Sequence, residues 1–205
     1  MIEVRLVSRM KYSAGMVSQV FAFVETKKLA DLLAKGMSKD EAWELVERDN
    51  LFQLKNPTRL KRTFNYVLNR IQSLPEELIK LLPVLDAENA KILVLISIMK
   101  TDLLFFEFVY GVYRGNMILG EKTIENRALN EFFDDKANQS ELVAGWSDAG
   151  VQKLKNCYIK NLVDAGLLTD TKTRTIKPAL INYRLEDILR KNDMTAYLNA
   201  VLGNR

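Results

Sequence analysis

A chain of 205 residues is long enough to bury a substantial core and fits one large domain or two small ones. Its residues are 48% apolar and 27% charged, with a net charge of +4, a globular rather than a disordered balance. One cysteine, Cys157, and no histidine exclude an internal disulfide, a Cys/His zinc site and histidine-dependent nucleophilic catalysis.

In chain order, Ile2 to Val7 reads as a short strand. Ser13 to Lys35 carries apolar residues at helical spacing and predicts a helix that Gly36 stops. The stretch "SKDE" at Ser38–Glu41 matches a capping box and opens a helix over Lys39 to Arg48. Asn56 followed by Pro57 supplies an N-cap and a first-turn proline for a helix reaching about Gln72. Pro75 to Leu82 predicts a short helix, and Asp86 caps another running to about Lys100. Thr101 or Asp102 opens one more, ending near Gly115. The apolar run from Ile92 to Val112 is broken by Lys100, Asp102 and Glu107. Two buried helices explain it better than a membrane span, which wants roughly 20 apolar residues. The N-terminal residues also lack the apolar stretch of a signal peptide, so a cytoplasmic protein without membrane contact is expected.

Near Gly120 the sequence turns more polar. A helix is predicted over Thr123 to Phe133 and another over Ser147 to Ala165, capped by Ser147 and stopped by Gly166. Leu167–Asp170 and Arg174–Ile181 alternate like two short strands around a turn at Thr171–Thr173. Helices over Tyr183 to Lys191 and Thr195 to Leu202 complete the chain. The expected fold is therefore mainly α. An N-terminal helical bundle spans residues 1–120, and a winged-helix-like unit with a short β-hairpin spans 121–205.

Two basic clusters stand out. Between Asn50 and Pro75 the chain has Lys55, Arg59, Lys61, Arg62 and Arg70 and no acid. Helical spacing puts Leu60, Phe64, Val67, Leu68 and Ile71 on one stripe and Arg59, Arg62, Tyr66 and Arg70 on the opposite side. Such a face suits phosphate contacts and stacking, or it is a solvated face whose arginines pair with acids elsewhere. On the helix after Ser147, Val151, Leu154, Tyr158, Leu162 and Ala165 face inward, while Gln152, Lys153, Asn156 and Lys160 face outward. Gln and Asn can bond adenine bidentately, and lysine reaches guanine or phosphate. Lys172, Arg174 and Lys177 follow on the predicted ribbon, with Lys172 and Arg174 at its tip, where a wing would touch the DNA backbone. The alternative is a winged helix used for protein docking, because a fold does not assign a function.

No catalytic set is apparent. The adjacent carboxylates Asp134–Asp135 and Glu76–Glu77 point about 100° apart on a helix and do not share a site. No phosphate-binding loop occurs, and no cofactor is implied. Cys157 reads as a packing residue, and Trp43 and Trp146 read as packing anchors.

The blocks "YSAG" at Tyr12–Gly15, "NLFQLKNPTRLKRTFNYVLNRIQSLP" at Asn50–Pro75 and "WSDAGVQKLKNCYIKNLVDAGLL" at Trp146–Leu168 resemble the BrxA family of bacteriophage-exclusion (BREX) operons. The resemblance covers nearly the whole chain in order and length. It implies a non-enzymatic defence component that binds double-stranded DNA. It also implies a likeness to helical NusB-type proteins, with RNA binding as an alternative. The implied neighbours are other BREX subunits: a DNA methyltransferase, an ATPase and a phosphatase-like protein. A protein–protein adaptor among those subunits is the further alternative.

Overall fold

The computed structural model describes residues 11–203, so the strand expected over Ile2–Val7 lies outside the described residues. A 3-10 turn at Gly15–Ser18 precedes α1 (Phe23–Ala34), which begins well after the expected start at Ser13. The delay has a local cause. Ala22 sits at a left-handed φ of 53°, and the carbonyls of Val20 and Phe21 accept from the Arg70 guanidinium rather than from a helical turn. Two caps behave as the sequence anticipates. In α2 (Lys39–Arg48) the Ser38 side chain accepts from Glu41 N, and Ser38 N donates back to the Glu41 carboxylate at 2.7 Å. In α3 (Pro57–Gln72) Asn56 accepts from Arg59 N at 2.8 Å.

After α4 (Glu76–Leu81), Asp86 caps α5 (Ala87–Thr101). Every residue from Ile92 to Met99 in α5 is buried, so this helix is apolar all round and forms the rod on which others pack. Asp102 caps α6 (Leu103–Phe108), its carboxylate accepting from Phe105 N at 2.9 Å. The path continues through a π turn at Val109–Tyr113 into α7 (Arg114–Leu119). It passes the expected end near Gly115 because Gly120, at φ 76°, is the glycine that adopts the left-handed stop. No helix among the described residues is long and apolar enough to cross a membrane.

The helix expected from Thr123 starts later, as α8 (Asn126–Gln139), because Thr123 is extended and bridges Thr175. A turn of helix, α9 (Glu141–Ala144), leads to α10 (Asp148–Asp164), where Ser147 accepts from Gly150 N. Gly166, at φ 83°, ends it. The two expected strands shrink to an antiparallel bridge between Leu168 and Ile176. Around it Thr169 N donates to Thr175 O at 3.0 Å and Lys177 N to Leu167 O at 2.9 Å. On the other side Ile176 N donates to Lys122 O at 2.8 Å. Pairing stops after Lys177 because Pro178 has no N–H to offer. Helices α11 (Tyr183–Lys191) and α12 (Thr195–Leu202) have the expected bounds.

One aromatic cluster fixes α10. The ring of Tyr158, fully buried, lies 5.0 Å from Phe105, 5.2 Å from Phe108 and 5.7 Å from Phe133, joining α6, α8 and α10. Its hydroxyl has no hydrogen-bond partner. Replacing Tyr158 by Ala is expected to cost about 3–5 kcal/mol. Tyr158→Phe should leave stability unchanged or raise it, because it removes an unpaired buried polar atom. Urea denaturation of the two variants measures both.

Asp102 offers a second measurement. Burial pushes its carboxyl up to about 6. A raised folded value means stability that is full below the unfolded value of 3.8 and is lost as pH rises through about 6. Asp102→Asn keeps the capping oxygen and removes the titration. The stability difference between parent and variant should therefore shift against the parent across that window, and a parallel pair of pH–stability curves would refute it.

Candidate nucleic-acid interface

The inward stripe of α10 is as the spacing predicts: Leu154, Tyr158 and Leu162 are fully buried and Ala165 is 4% exposed, with Val151 half-buried. Gln152, Lys153, Asn156 and Lys160 are all exposed. Three of these four enter one cleft of about 580 Å³, where Gln152, Asn156 and Lys160 meet Asn126 and Asn130 of α8 and Arg174. Lys153 stays outside the cleft on open surface.

Within the cleft the polar groups hold each other. Gln152 donates to Asn156 at 3.1 Å, and Lys160 pairs with Asp164 at 3.0 Å. Lys155 reaches across to Asn130 at 2.8 Å and rests 5.6 Å from the Phe133 ring centroid. Arg174 is not at a free tip: its guanidinium donates to Asn126 at 2.6 Å and to Thr171 O at 3.3 Å. Its backbone is held at φ 52°.

The turn before Arg174 is built on Asp170. Its carboxylate accepts from Lys172 N at 2.7 Å, Thr173 N at 2.8 Å and the Thr173 hydroxyl. These bonds hold the carboxyl at about 2. Lys172 is thereby presented, exposed, from a fixed turn, and Lys177 is exposed beyond the bridge.

Lys155, one of the basic residues between Gly150 and Arg184, also lines the cleft, with Asn126 and Asn130, which the charge pattern did not single out. Their signal is spacing: Asn126 and Asn130 lie four apart on one face of α8. Cys157 is half-buried and donates to Met16 O at 3.3 Å. Burial pushes its thiol up, away from nucleophilic character.

The α3 surface divides. The stripe of Leu60, Phe64, Val67, Leu68 and Ile71 is buried, while Lys55, Arg59 and Arg62 are exposed and Tyr66 is partly so. Arg70, expected outward with them, is corrected by the structure: it is 1% exposed. The segment before α1 crosses over it and converts an outward position into a buried one. Its guanidinium donates to Val20 O and to the Gln19 side chain, each at 2.9 Å, and sits 4.7 Å from the Tyr66 ring centroid. Burial lowers it to about 10, and its Nε has no partner. Among the described residues no group of three or more Cys, Asp or Glu could hold a metal ion.

The sequence model of the BrxA family matches residues 10–193. The chain is 36% identical to a "BREX protein BrxA" of Bacillus cereus over 97% of this chain and 100% of that protein. It is 24% identical to a protein of the same name from Paramagnetospirillum magneticum over 89% of this chain and 92% of the relative. A crystal structure of an uncharacterized protein from Magnetospirillum magneticum superposes with a TM-score of 0.80 at 23% identity. The match covers 95% of this chain and all of that one, and it shows that the fold is shared.

Arg70 and Arg59 should respond oppositely to truncation. Arg70→Ala leaves the Val20 and Phe21 carbonyl oxygens and the Gln19 side chain without that donor and opens a cavity. It should cost about 3 kcal/mol and speed amide exchange in the 15–22 segment. Arg59→Ala, on open surface, should stay within about 0.5 kcal/mol of the parent. Equal effects in denaturant titrations would contradict these placements.

Proposed function

The chain belongs to the BrxA family, and from that membership we propose that it is an accessory, non-catalytic component of a BREX phage-defence system that binds double-stranded DNA. Residues 121–205 act as the DNA-reading unit, and residues 1–120 form a bundle that carries it. The observation that supports this most is the outward face of α10. Its N-terminal half presents Gln152, Lys153 and Asn156, all exposed, beside a fixed turn bearing Lys172. Base contacts made from the N-terminal part of a recognition helix are the usual docking mode of helix-turn-helix proteins.

The order of elements fits a winged helix. Within residues 121–205 an extended residue (Thr123), the helices α8 and α10 with the one-turn α9 between them, and a paired ribbon at Leu168–Ile176 come in that order. In this reading α10 enters the major groove and Gln152 and Asn156 address base edges. Lys153, Lys160, Lys172 and Lys177 meet phosphates, and Arg174 stiffens the turn that carries Lys172. Lys55, just before α3, and Arg59, Arg62 and Tyr66 on it offer a second surface for nucleic acid. Arg70 leaves this set because it is buried. The relatives' name supports other BREX subunits as partners, and in this reading they are the methyltransferase, the ATPase and the phosphatase-like protein.

The test is duplex binding by the Lys153→Gln/Lys160→Gln/Lys172→Gln variant across a salt series. Each lysine that meets a phosphate should reduce the logarithmic salt slope by about 0.9, with weaker binding at every salt. An unchanged slope sinks the assignment to α10. Displacement of the duplex by single-stranded RNA of equal length at equal concentration would favour an RNA-binding role. No duplex binding at low salt, with a BREX subunit co-purifying, would favour an adaptor.

A further inference from the structure

A second cleft, of about 820 Å³, lies between α2, the first half of α3 and the Gly15–Ser18 turn. Trp43 and Tyr66 give it aromatic walls, Lys61 and Arg62 give it cations, and Glu47 and Asn65 add hydrogen-bonding groups. On α3 these residues recur at helical spacing, so Lys61, Arg62, Asn65 and Tyr66 share one face. Trp43 is set edge-on against Phe64, with centroids 5.0 Å apart at 65°, which fixes the indole.

Behind this wall stands the buried Arg70. Its guanidinium lies 4.7 Å from the Tyr66 ring centroid and holds the Gln19 side chain, also in the cleft lining, at 2.9 Å. Its hydrogen bonds go to neutral oxygens, and the carboxylate that acts on it, Asp102, does so at longer range. In the lining two cations, Lys61 and Arg62, therefore oppose one carboxylate, Glu47, and Arg70 behind the wall adds a third cation with Asp102 acting on it at longer range. That balance favours an anion.

A bare anion site has no use for two aromatic walls, and an apolar ligand has no use for two exposed cations. A nucleoside phosphate uses both. Every base has a π face that stacks on an aromatic ring, and phosphate oxygens accept charge-assisted bonds from guanidinium and ammonium groups. The volume is within the range of small-molecule clefts. We propose that this cleft binds one nucleoside phosphate, with the base against Trp43 and Tyr66 and the phosphate on Lys61 and Arg62. Glu47 accepts from an amino group of the base, which favours adenine, guanine and cytosine over uracil. The site is built from α2, α3 and the N-terminal turn, so it stands whether or not α10 contacts duplex DNA. The nucleotide comes either free or as an unpaired unit of a strand.

The experiment titrates AMP, GMP, CMP, UMP and inorganic phosphate into the full chain carrying Trp146→Phe, which leaves Trp43 as the fluorescent reporter. Saturable change is expected with AMP, GMP and CMP, weaker change with UMP, and poor competition from inorganic phosphate. Arg62→Ala and Tyr66→Ala should each weaken binding about tenfold, and Tyr66→Phe, which keeps the ring, should restore it. The Lys153/Lys160/Lys172 variant should bind as the parent does, which separates this site from the duplex reading. Tighter binding of a short single-stranded oligonucleotide than of the monophosphates assigns the nucleotide to a strand, and the reverse assigns it to a free ligand. Absence of saturable binding, competition by inorganic phosphate at equal concentration, or parental affinity in Arg62→Ala and Tyr66→Ala would each overturn the proposal.

Discussion

The burial of Tyr158 among Phe105, Phe108 and Phe133 is the constraint on which the candidate interface depends. An α-helix has one angular degree of freedom once its axis is placed, and a large ring locked in an aromatic cluster removes it. With Tyr158 inward, Gln152, Lys153 and Asn156 have nowhere to go but outward. The same cluster ties α10 to α8 through Phe133, so Asn126 and Asn130 of α8 come to rest beside Gln152 and Asn156 of α10. The cleft follows from core packing. Nothing in its own polar residues is needed to place it.

A second constraint holds the segment before α1. Arg70 replaces helical hydrogen bonding for the carbonyls just before α1, and in doing so it holds the N-terminal segment across the end of α3. A buried guanidinium with neutral partners carries an unfavourable desolvation, which is why burial lowers it to about 10. Arg can fill such a role where Lys cannot, because its planar fork reaches several carbonyl oxygens at once. The cation–π contact with Tyr66 couples this buried charge to the surface cleft above it.

What the sequence made legible was whatever is decided within about five residues. The capping box at Ser38, the Asn56–Pro57 start, the Asp86 cap and the glycine stop at Gly166 are local chemistry, and each stands where its spacing implied. The inward stripes of α3 and α10 were legible for the same reason, since helical period needs no partner to be read. Arg70 was not, because the segment that covers it comes from about fifty residues earlier in the chain. The ribbon was overestimated because alternation predicts extended backbone but not which residues find partners. Pro178 cuts the pairing, and Thr123 joins it from another part of the chain. Half of the α8–α10 cleft escaped notice because asparagines carry no charge to cluster.

Net charge is a poor guide to the surfaces that matter here, and the pairing pattern is a better one. On α8 and α11 cations have carboxylates four residues away and use them: Arg127 with Glu131, Arg190 with Glu186, and Lys191 with Asp187. Such surface pairs contribute little stability, yet they occupy the cation and cancel its field. Lys80 with Glu76 on α4 and Lys160 with Asp164 on α10 do the same, but three exposed cations lack the arrangement. Lys153 has Ala149 and Cys157 at four residues, Arg59 has Lys55 and Thr63, and Arg62 has Thr58 and Tyr66. Those cations have no carboxylate in reach along their own helices. A charge left without an internal partner on a rigid helix has its backbone ordered by folding, so binding an external anion costs the rotamers of the side chain but not the backbone beneath it. Carboxylates are withheld around Lys153 in the N-terminal half of α10 and around Arg59 and Arg62 at the start of α3, and these two surfaces also carry Gln and Asn or aromatic side chains. Charge left unpaired, beside groups that can read or stack a base, is what distinguishes a recognition surface from a solvated one.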